Sequence, residues 1–259
     1  MNWSDPAHLE AAALCFVVCG ILGWLVPGLI IRVPEPEPEP ARDSGLAELE
    51  SAREDTRGGR LPTPPPKATY VHIGAGRGLP LCTAAASGLC GLAVGAGTGW
   101  TWALLYLVPM VPVGVALTVI DWRTTLLPTR IVAPSYVLVV VGILVAALLE
   151  RDQASLLRAG LGWLIVGGVY LVLWLVHPAG MGYGDVRLSG VIGLMLGYLG
   201  WQELLVGSYA AFLVGGVGGA VLAALKVVKR TRFPFGPFML LGALLGVAAG
   251  PELMAGLGY

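Results

Sequence analysis

The chain has 259 residues, of which 56% are hydrophobic and 12% charged, against about 45–50% and about 25% in a typical soluble domain. With a mean hydropathy of +0.78 it is not a soluble globular domain. Sixteen basic and sixteen acidic residues give zero formal net charge, which excludes the net-positive footprint of a broad nucleic-acid binder.

The excess apolar material lies in long blocks, and a membrane-spanning helix needs about 20 apolar residues. Blocks at about 9–31, 79–98, 100–120, 131–149, 157–177, 186–206, 207–227 and 236–255 predict eight spans. The fold class is all-α, a polytopic transmembrane helical bundle. The first block is expected to be a retained span rather than a signal peptide. Its N-terminal flank carries Asp5 and Glu10 but no Lys or Arg, whereas a signal peptide begins with a basic region. Residues 1–32 therefore read as an N-terminal span, 33–78 as a linker and 79–259 as the main membrane domain. The linker begins with alternating Pro and Glu from Pro34 to Pro40, a pattern that favours extended polyproline II over a packed core. Residues 44–57 have the charge pattern of a short helix.

Charge placement gives an independent test of the count. One alternating set of loops holds Arg32, Arg42, Arg53, Arg57, Arg60, Lys67, Arg77, Arg123, Arg130, Arg187, Lys226, Lys229, Arg230 and Arg232; the other set, with both termini, holds Arg151 and Arg158. Fourteen cations against two is a strong positive-inside bias. It predicts both termini outside and the four basic loops in the cytoplasm. The cations themselves are read as setting topology rather than contacting substrate.

Few residues are placed to do chemistry. The sequence has no His-Glu-x-x-His and no Gly-x-Ser-x-Gly, which excludes those zinc-protease and serine-hydrolase motifs. Cys15, Cys19, Cys82 and Cys90 lie in or beside apolar stretches without a Cys-x-x-Cys pair, so no structural zinc or thioredoxin-like site is expected. Of the histidines, only His177 stands at a span end, where it reads as structural. Ten of the sixteen acids fall in the N-terminal tail or linker, and Glu150, Asp152, Glu203 and Glu252 on the outer side.

Asp121 and Asp185 remain, both where a span meets the cytoplasm. Taken alone, Asp121 is a solvated helix-end carboxylate or a partner of Arg123, and Asp185 an N-cap. The glycines of Gly182-Tyr183-Gly184-Asp185 open backbone conformations closed to other residues. Irregular backbone at membrane depth occurs only where protein or a water cavity covers it. Such a segment can offer free N–H and C=O groups to an extended peptide. Two carboxylates without another candidate catalyst suggest a paired-acid mechanism, in which close acids share a proton and titrate as a unit. One carboxylate then activates water and the other, protonated, polarises the carbonyl.

These residues resemble those of the prepilin peptidase (type IV leader peptidase) family of intramembrane aspartyl proteases. Gly182-Tyr183-Gly184-Asp185 matches its Gly-x-Gly-Asp motif, and Ile120-Asp121 with Leu127-Pro128 matches its first aspartate segment. Phe233-Pro234-Phe235-Gly236-Pro237-Phe238 is similar to its Pro-Phe-Gly-Pro stretch. The likeness covers about residues 100–255. Thr129 stands where the family often has a further Asp, and Pro27 where an Asn is usual. The resemblance implies that residues 79–259 form a transmembrane aspartyl peptidase domain, with Asp121 and Asp185 catalytic and Gly182 and Gly184 shaping the substrate-binding segment. It implies an inner-membrane endopeptidase that removes short leaders from type IV pilin-like or pseudopilin precursors at the cytoplasmic face. Its partners would be those precursors and the lipid bilayer, with no nucleic acid. Bifunctional members carry two Cys-x-x-Cys pairs linked to zinc and to N-methylation. Here that place holds the Pro/Glu linker, so no metal and no cofactor for proteolysis is expected, and S-adenosylmethionine would enter only with a retained methyl transfer. A transporter or channel using the two aspartates as ion or proton sites is the rival reading. It calls for internal repeats, which the sequence does not show. A catalytically silent assembly subunit is the second rival, and the three motifs argue against both.

Overall fold

The structure, a computed structural model, describes residues 6–34, 69–177, 181–224, 234–256 and 258. Among these residues all regular structure is helical: α1 (Pro6–Trp24), α2 (Val26–Ile31), α3 (Tyr70–Gly74), α4 (Leu79–Thr98), α5 (Leu104–Thr124), α6 (Thr129–Glu150), α7 (Gln153–Val176), α8 (Tyr183–Leu199), α9 (Trp201–Ala224) and α10 (Gly236–Gly256). An all-α polytopic membrane protein is what the composition calls for. Among the described residues six stretches are long and apolar enough to cross a membrane: Pro6–Ile31 and helices α4, α5, α6, α7 and α10. The other two long helices, α8 of 17 residues and α9 of 24, take the places of the sixth and seventh expected spans.

The boundary between those two differs from the sequence reading. The expected break at 206/207 falls instead at Gly200, which has an extended backbone between α8 and α9. The polar pair Gln202-Glu203 just after Gly200 marks this turn, and the block read as 186–206 ran through it. The third span also shifts, running to Thr124 rather than ending near 120, so Asp121 lies inside the last turn of α5. Residues 69–78, placed in the linker, carry α3. Thr69 caps it by accepting from the His72 N–H at 3.4 Å, and Tyr70 and Ile73 are buried with Val33 in the main core. The Pro/Glu run, residues 44–57 and the 226–232 cations lie outside the described residues.

Three helix pairs form the frame: α1 with α4, α7 with α8, and α9 with α10. The approach of α7 to α8 requires glycine. A Cβ on Gly162 or Gly193 would overlap the backbone carbonyl of the other, and such small-residue seams let membrane helices meet backbone to backbone. Helix α5 runs through the middle, touching α1, α4, α6 and α10, and buries Tyr106, Leu117 and Ile120 completely. The outer faces are apolar, with Leu148 and Val176 each 77% exposed and Leu157 73%. So much exposed apolar surface fits lipid rather than water.

Helix α8 spans about 20 Å between Asp185 and Tyr198. It therefore carries Asp185 at one end of the bundle and delivers Tyr198 and Leu199 to the other. Helix α5 is oriented so that Asp121 arrives at the same end as Asp185.

Candidate active site

Asp121 is 3% exposed and Asp185 7%. They come from different helices, 64 positions apart in the sequence, yet the bundle brings their charges into mutual electrostatic range.

Each carboxylate is held by a helix N-terminus. Asp121 Oδ2 accepts from the Gly236 N–H at 3.0 Å in a buried bond, and Gly236 is the first residue of α10. Asp185 Oδ2 accepts from the Gly182 N–H at 3.1 Å, while the Asp185 N–H donates to Gly182 C=O at 3.0 Å. Asp185 is thus the third helical residue of α8 and Gly182 is its N-cap, rather than Asp185 being the cap itself. First-turn N–H groups have no partner within the helix and attract negative charge. These two bonds use that property to fix one oxygen of each carboxylate. Asp185 Oδ1 is buried with no hydrogen-bond partner. Buried polar atoms are nearly always paired, and the exceptions are candidates for chemistry.

The chain between the aspartates packs over both anchors. Helix α5 ends at Thr125, whose φ of 54° places it in the left-handed region and whose N–H donates to Asp121 C=O at 2.7 Å. Leu127 follows, and a Cβ on Gly184 would stand 2.7 Å from Leu127 Cβ. At Gly236 a Cβ would meet Asp121 Oδ2 at 2.8 Å and Leu127 Cδ2 at 3.5 Å. Leu127 therefore lies against both glycine segments, and neither glycine has room for a side chain there.

Arg187 ties α8 to the start of α6. Its guanidinium donates to Thr129 Oγ1 and lies 4.6 Å from the centroid of the Tyr183 ring. The Tyr136 hydroxyl donates to Arg187 C=O at 2.8 Å. Arg187, read from the sequence as a topology charge, is thus also a structural clasp beside the pair.

Of the residues singled out in the sequence, Asp121, Asp185, Gly182 and Gly184 converge on this one end. The N–H and C=O of Gly182 both bond to Asp185, and Gly184 is pressed against Leu127. His177 is the C-cap of α7, its N–H donating to Leu173 C=O at 3.0 Å. The sequence reading missed the Gly236 N–H, because a main-chain donor has no letter of its own. Its only trace was the Pro234-Phe235-Gly236-Pro237 stretch, singled out as a motif without a role for its main chain. An apolar cavity of about 510 Å³ opens between α4, α5, α8 and α10. Its wall includes Thr118, three residues before Asp121, and Pro237, next to Gly236.

Residues 108–224 match the family model of the type IV leader peptidase family. The chain is 33% identical over 135 residues to a prepilin leader peptidase/N-methyltransferase of Escherichia coli (strain K12), covering 51% of this chain and 57% of that protein. It is 30% identical over 159 residues to the protein of the same name from Stutzerimonas stutzeri, covering 60% and 50%. To the Pseudomonas aeruginosa protein it is 29% identical over 155 residues, covering 59% and 49%. The match thus spans about half the length of these curated relatives. No solved structure matches the chain.

Proposed function

We propose, from the match of residues 108–224 to the type IV leader peptidase family, that the chain is a member of that family and a membrane aspartyl endopeptidase. Its substrates would be type IV pilin-like or pseudopilin precursors, cut at the cytoplasmic face of the inner membrane. The observation that carries this reading is the pair of buried carboxylates in electrostatic range. Each has an oxygen pinned by a helix N-terminus, and Asp185 has one left without a partner.

In the proposed reaction Asp121 and Asp185 share one proton and act as a unit. The ionised carboxylate takes a proton from water as the water oxygen attacks the peptide carbonyl. The protonated carboxyl donates a hydrogen bond to the carbonyl oxygen as negative charge develops there. Collapse of the tetrahedral intermediate breaks the C–N bond, and a proton passes to the departing amine. The precursor would run as an extended segment along the first turn of α8. Gly182 is already engaged with Asp185, so its part is to shape the turn. In this reading the next N–H groups, of Tyr183 and Gly184, which a helix start leaves without an intrahelical partner, would meet the substrate backbone. The reaction needs no metal and no cofactor, and methyl transfer with S-adenosylmethionine is not part of this reading.

The test is cleavage of a purified pilin precursor by the reconstituted full chain, with the leader and mature fragments identified by mass. Cleavage at a single bond that is insensitive to chelators and to serine-directed reagents supports the proposal. No cleavage of any pilin-like precursor, or proton-coupled solute transport by the same vesicles, would overturn it.

A further inference from the structure

Asp121 depends on the main-chain N–H of Gly236, and a main-chain donor is only as well placed as the segment that carries it. That segment begins with Phe235, which sits just outside α10 and is held by neighbours from two other helices. The Phe235 ring lies 6.1 Å from the ring of Tyr170 on α7 and 6.0 Å from that of Phe212 on α9. Tyr170 and Phe212 close the triangle at 5.1 Å. On another side Phe235 fills the place a side chain would take at Gly215, where a Cβ would stand 2.6 Å from its Cε2. Tyr170 is 2% exposed, among the largest fully buried side chains of the described residues. It also lies within electrostatic range of Asp185. Tyr170 therefore touches the segment that anchors one aspartate while standing near the other.

We propose that Tyr170 is a positioning residue for the aspartate pair, its ring bracing Phe235 and so holding the Gly236 N–H on Asp121. The inference rests on the peptidase reading for its kinetic consequence, but its structural half stands alone. The ring does the work in this account. Aromatic triangles of this size gain from edge and offset contacts as well as from burial, and a leucine at Tyr170 would leave Phe235 free to shift. A misplacement of about 1 Å at a catalytic group costs roughly a hundredfold in rate.

The experiment compares Tyr170→Leu, Tyr170→Phe and Gly215→Ala with the wild-type full chain in the same membrane mimic. One readout is kcat and KM for precursor cleavage, and the other is hydrogen exchange of the peptide that contains Gly236. Tyr170→Leu should lower kcat roughly tenfold to a hundredfold with KM within about twofold, and should speed exchange at Gly236. Tyr170→Phe keeps the ring and should match wild type in both. Gly215→Ala pushes on Phe235 from its other side and should reproduce the leucine variant, which keeps the test decisive if Tyr170→Leu does not fold. Tyr106→Leu removes an equally buried tyrosine that bonds Met195 C=O at 3.1 Å, far from the pair. It should reduce stability without changing exchange at Gly236. Unchanged exchange and kcat in both Tyr170→Leu and Gly215→Ala would overturn the proposal. So would a Tyr170→Phe variant as impaired as Tyr170→Leu, which would transfer the role to the hydroxyl. If wild type cleaves no precursor, the peptidase reading fails while exchange at Gly236 still decides the bracing.

Discussion

The two ends of the helix bundle handle buried polar groups in opposite ways. At the end away from the aspartates, Arg158 Nε donates to Gly197 C=O at 2.8 Å. Its Nη2 reaches Tyr198 C=O at 2.7 Å, Leu199 C=O at 3.2 Å and Ser155 Oγ at 2.8 Å. Ser155 Oγ in turn donates to Asp152 Oδ2 at 2.5 Å. The Tyr198 hydroxyl donates to Glu150 Oε2 at 2.8 Å, and Thr101 Oγ1 reaches Glu150 Oε1 at 3.4 Å. One guanidinium thus satisfies the last carbonyls of α8, which a helix otherwise leaves open. At the other end each aspartate has one oxygen fixed by a main-chain donor, and Asp185 Oδ1 is left with no partner. Saturation at the first end builds a clamp. Partial satisfaction at the second holds the carboxylates in place and leaves acceptor capacity for a reaction.

The comparison breaks most directly at the aspartates. Asp121→Asn and Asp185→Asn keep size and most hydrogen bonding but remove the acid–base function. Each should reduce precursor cleavage roughly a thousandfold or more, and the double variant should be hardly worse than either, as for groups that act as a unit. Membrane insertion and thermal stability should hold, because neither variant removes a contact that closes the bundle. Near-normal turnover in Asp121→Asn would return that residue to the role of a helix-end carboxylate.

A smaller effect is expected from the donor side. Gly236→Ala places a Cβ 2.8 Å from Asp121 Oδ2, so either the carboxylate or the start of α10 must move. Cleavage should fall roughly tenfold to a hundredfold, mainly in kcat. An alanine variant with wild-type kcat would show that the Gly236 contact is not part of the working geometry.

These sites show what the sequence could disclose and what it could not. Asp121 and Asp185 were legible because charge is scarce in an apolar chain, and they alone remained once the acids of the N-terminal tail, the linker and the other side were set apart. Gly182 and Gly184 were legible as glycines before an acid. Gly236 entered only as a letter of the Pro-Phe-Gly-Pro-like stretch, with no role attached, because its contribution is a main-chain N–H carried by the segment that Phe235 begins. Arg158 was counted as one of two outer-loop cations, since charge counting sees the guanidinium but not the α8 carbonyls opposite it. The span boundary at Gly200 was legible but passed over: Gln202-Glu203 stands just after it, a polar pair enclosed in a block that was otherwise long and apolar enough to be one span. The letters revealed where polar groups are rare, and only the fold revealed how each is satisfied.

The saturated end offers the complementary prediction. Arg158→Leu strips the donor from three carbonyls of α8 and from Ser155. Hydrogen bonds to charged groups contribute about 1.5–3 kcal/mol each, with part regained from water at this half-buried position. A loss of about 2 kcal/mol in unfolding free energy is expected, with kcat of the folded fraction unchanged. Thermal unfolding and single-turnover cleavage on the same samples would separate the two quantities. A fall in kcat without a fall in stability would mean that the two ends are coupled through α8 and that the division of labour drawn here is wrong.

Asp152 gives the smallest effect and the one with a defined pH signature. It stands just before α7 as its N-cap, accepting from the Ser155 N–H at 3.1 Å and from the Ser155 hydroxyl at 2.5 Å. Those hydrogen bonds favour the ionised form and hold its carboxyl below the usual aspartate value, the Ser155 side chain first, with Arg158 adding a little. A folded-state value below the unfolded one means that the unfolded chain binds the proton more tightly. The stabilisation is therefore fully present above the unfolded aspartate value of about 3.9. It is lost as pH falls through the lower, folded value. Asp152→Asn lacks a charge to titrate, so its stability relative to wild type should be slightly lower at pH 7, and the gap should close as the pH falls below the unfolded aspartate value and through the lower, folded one. Cleavage at pH 7 should be unchanged, since the residue lies at the far end from the pair. Paired unfolding curves of the two proteins across that range cancel the titration of every other carboxylate. A gap that widens on acidification would reverse the sign and remove Asp152 from the network around Arg158.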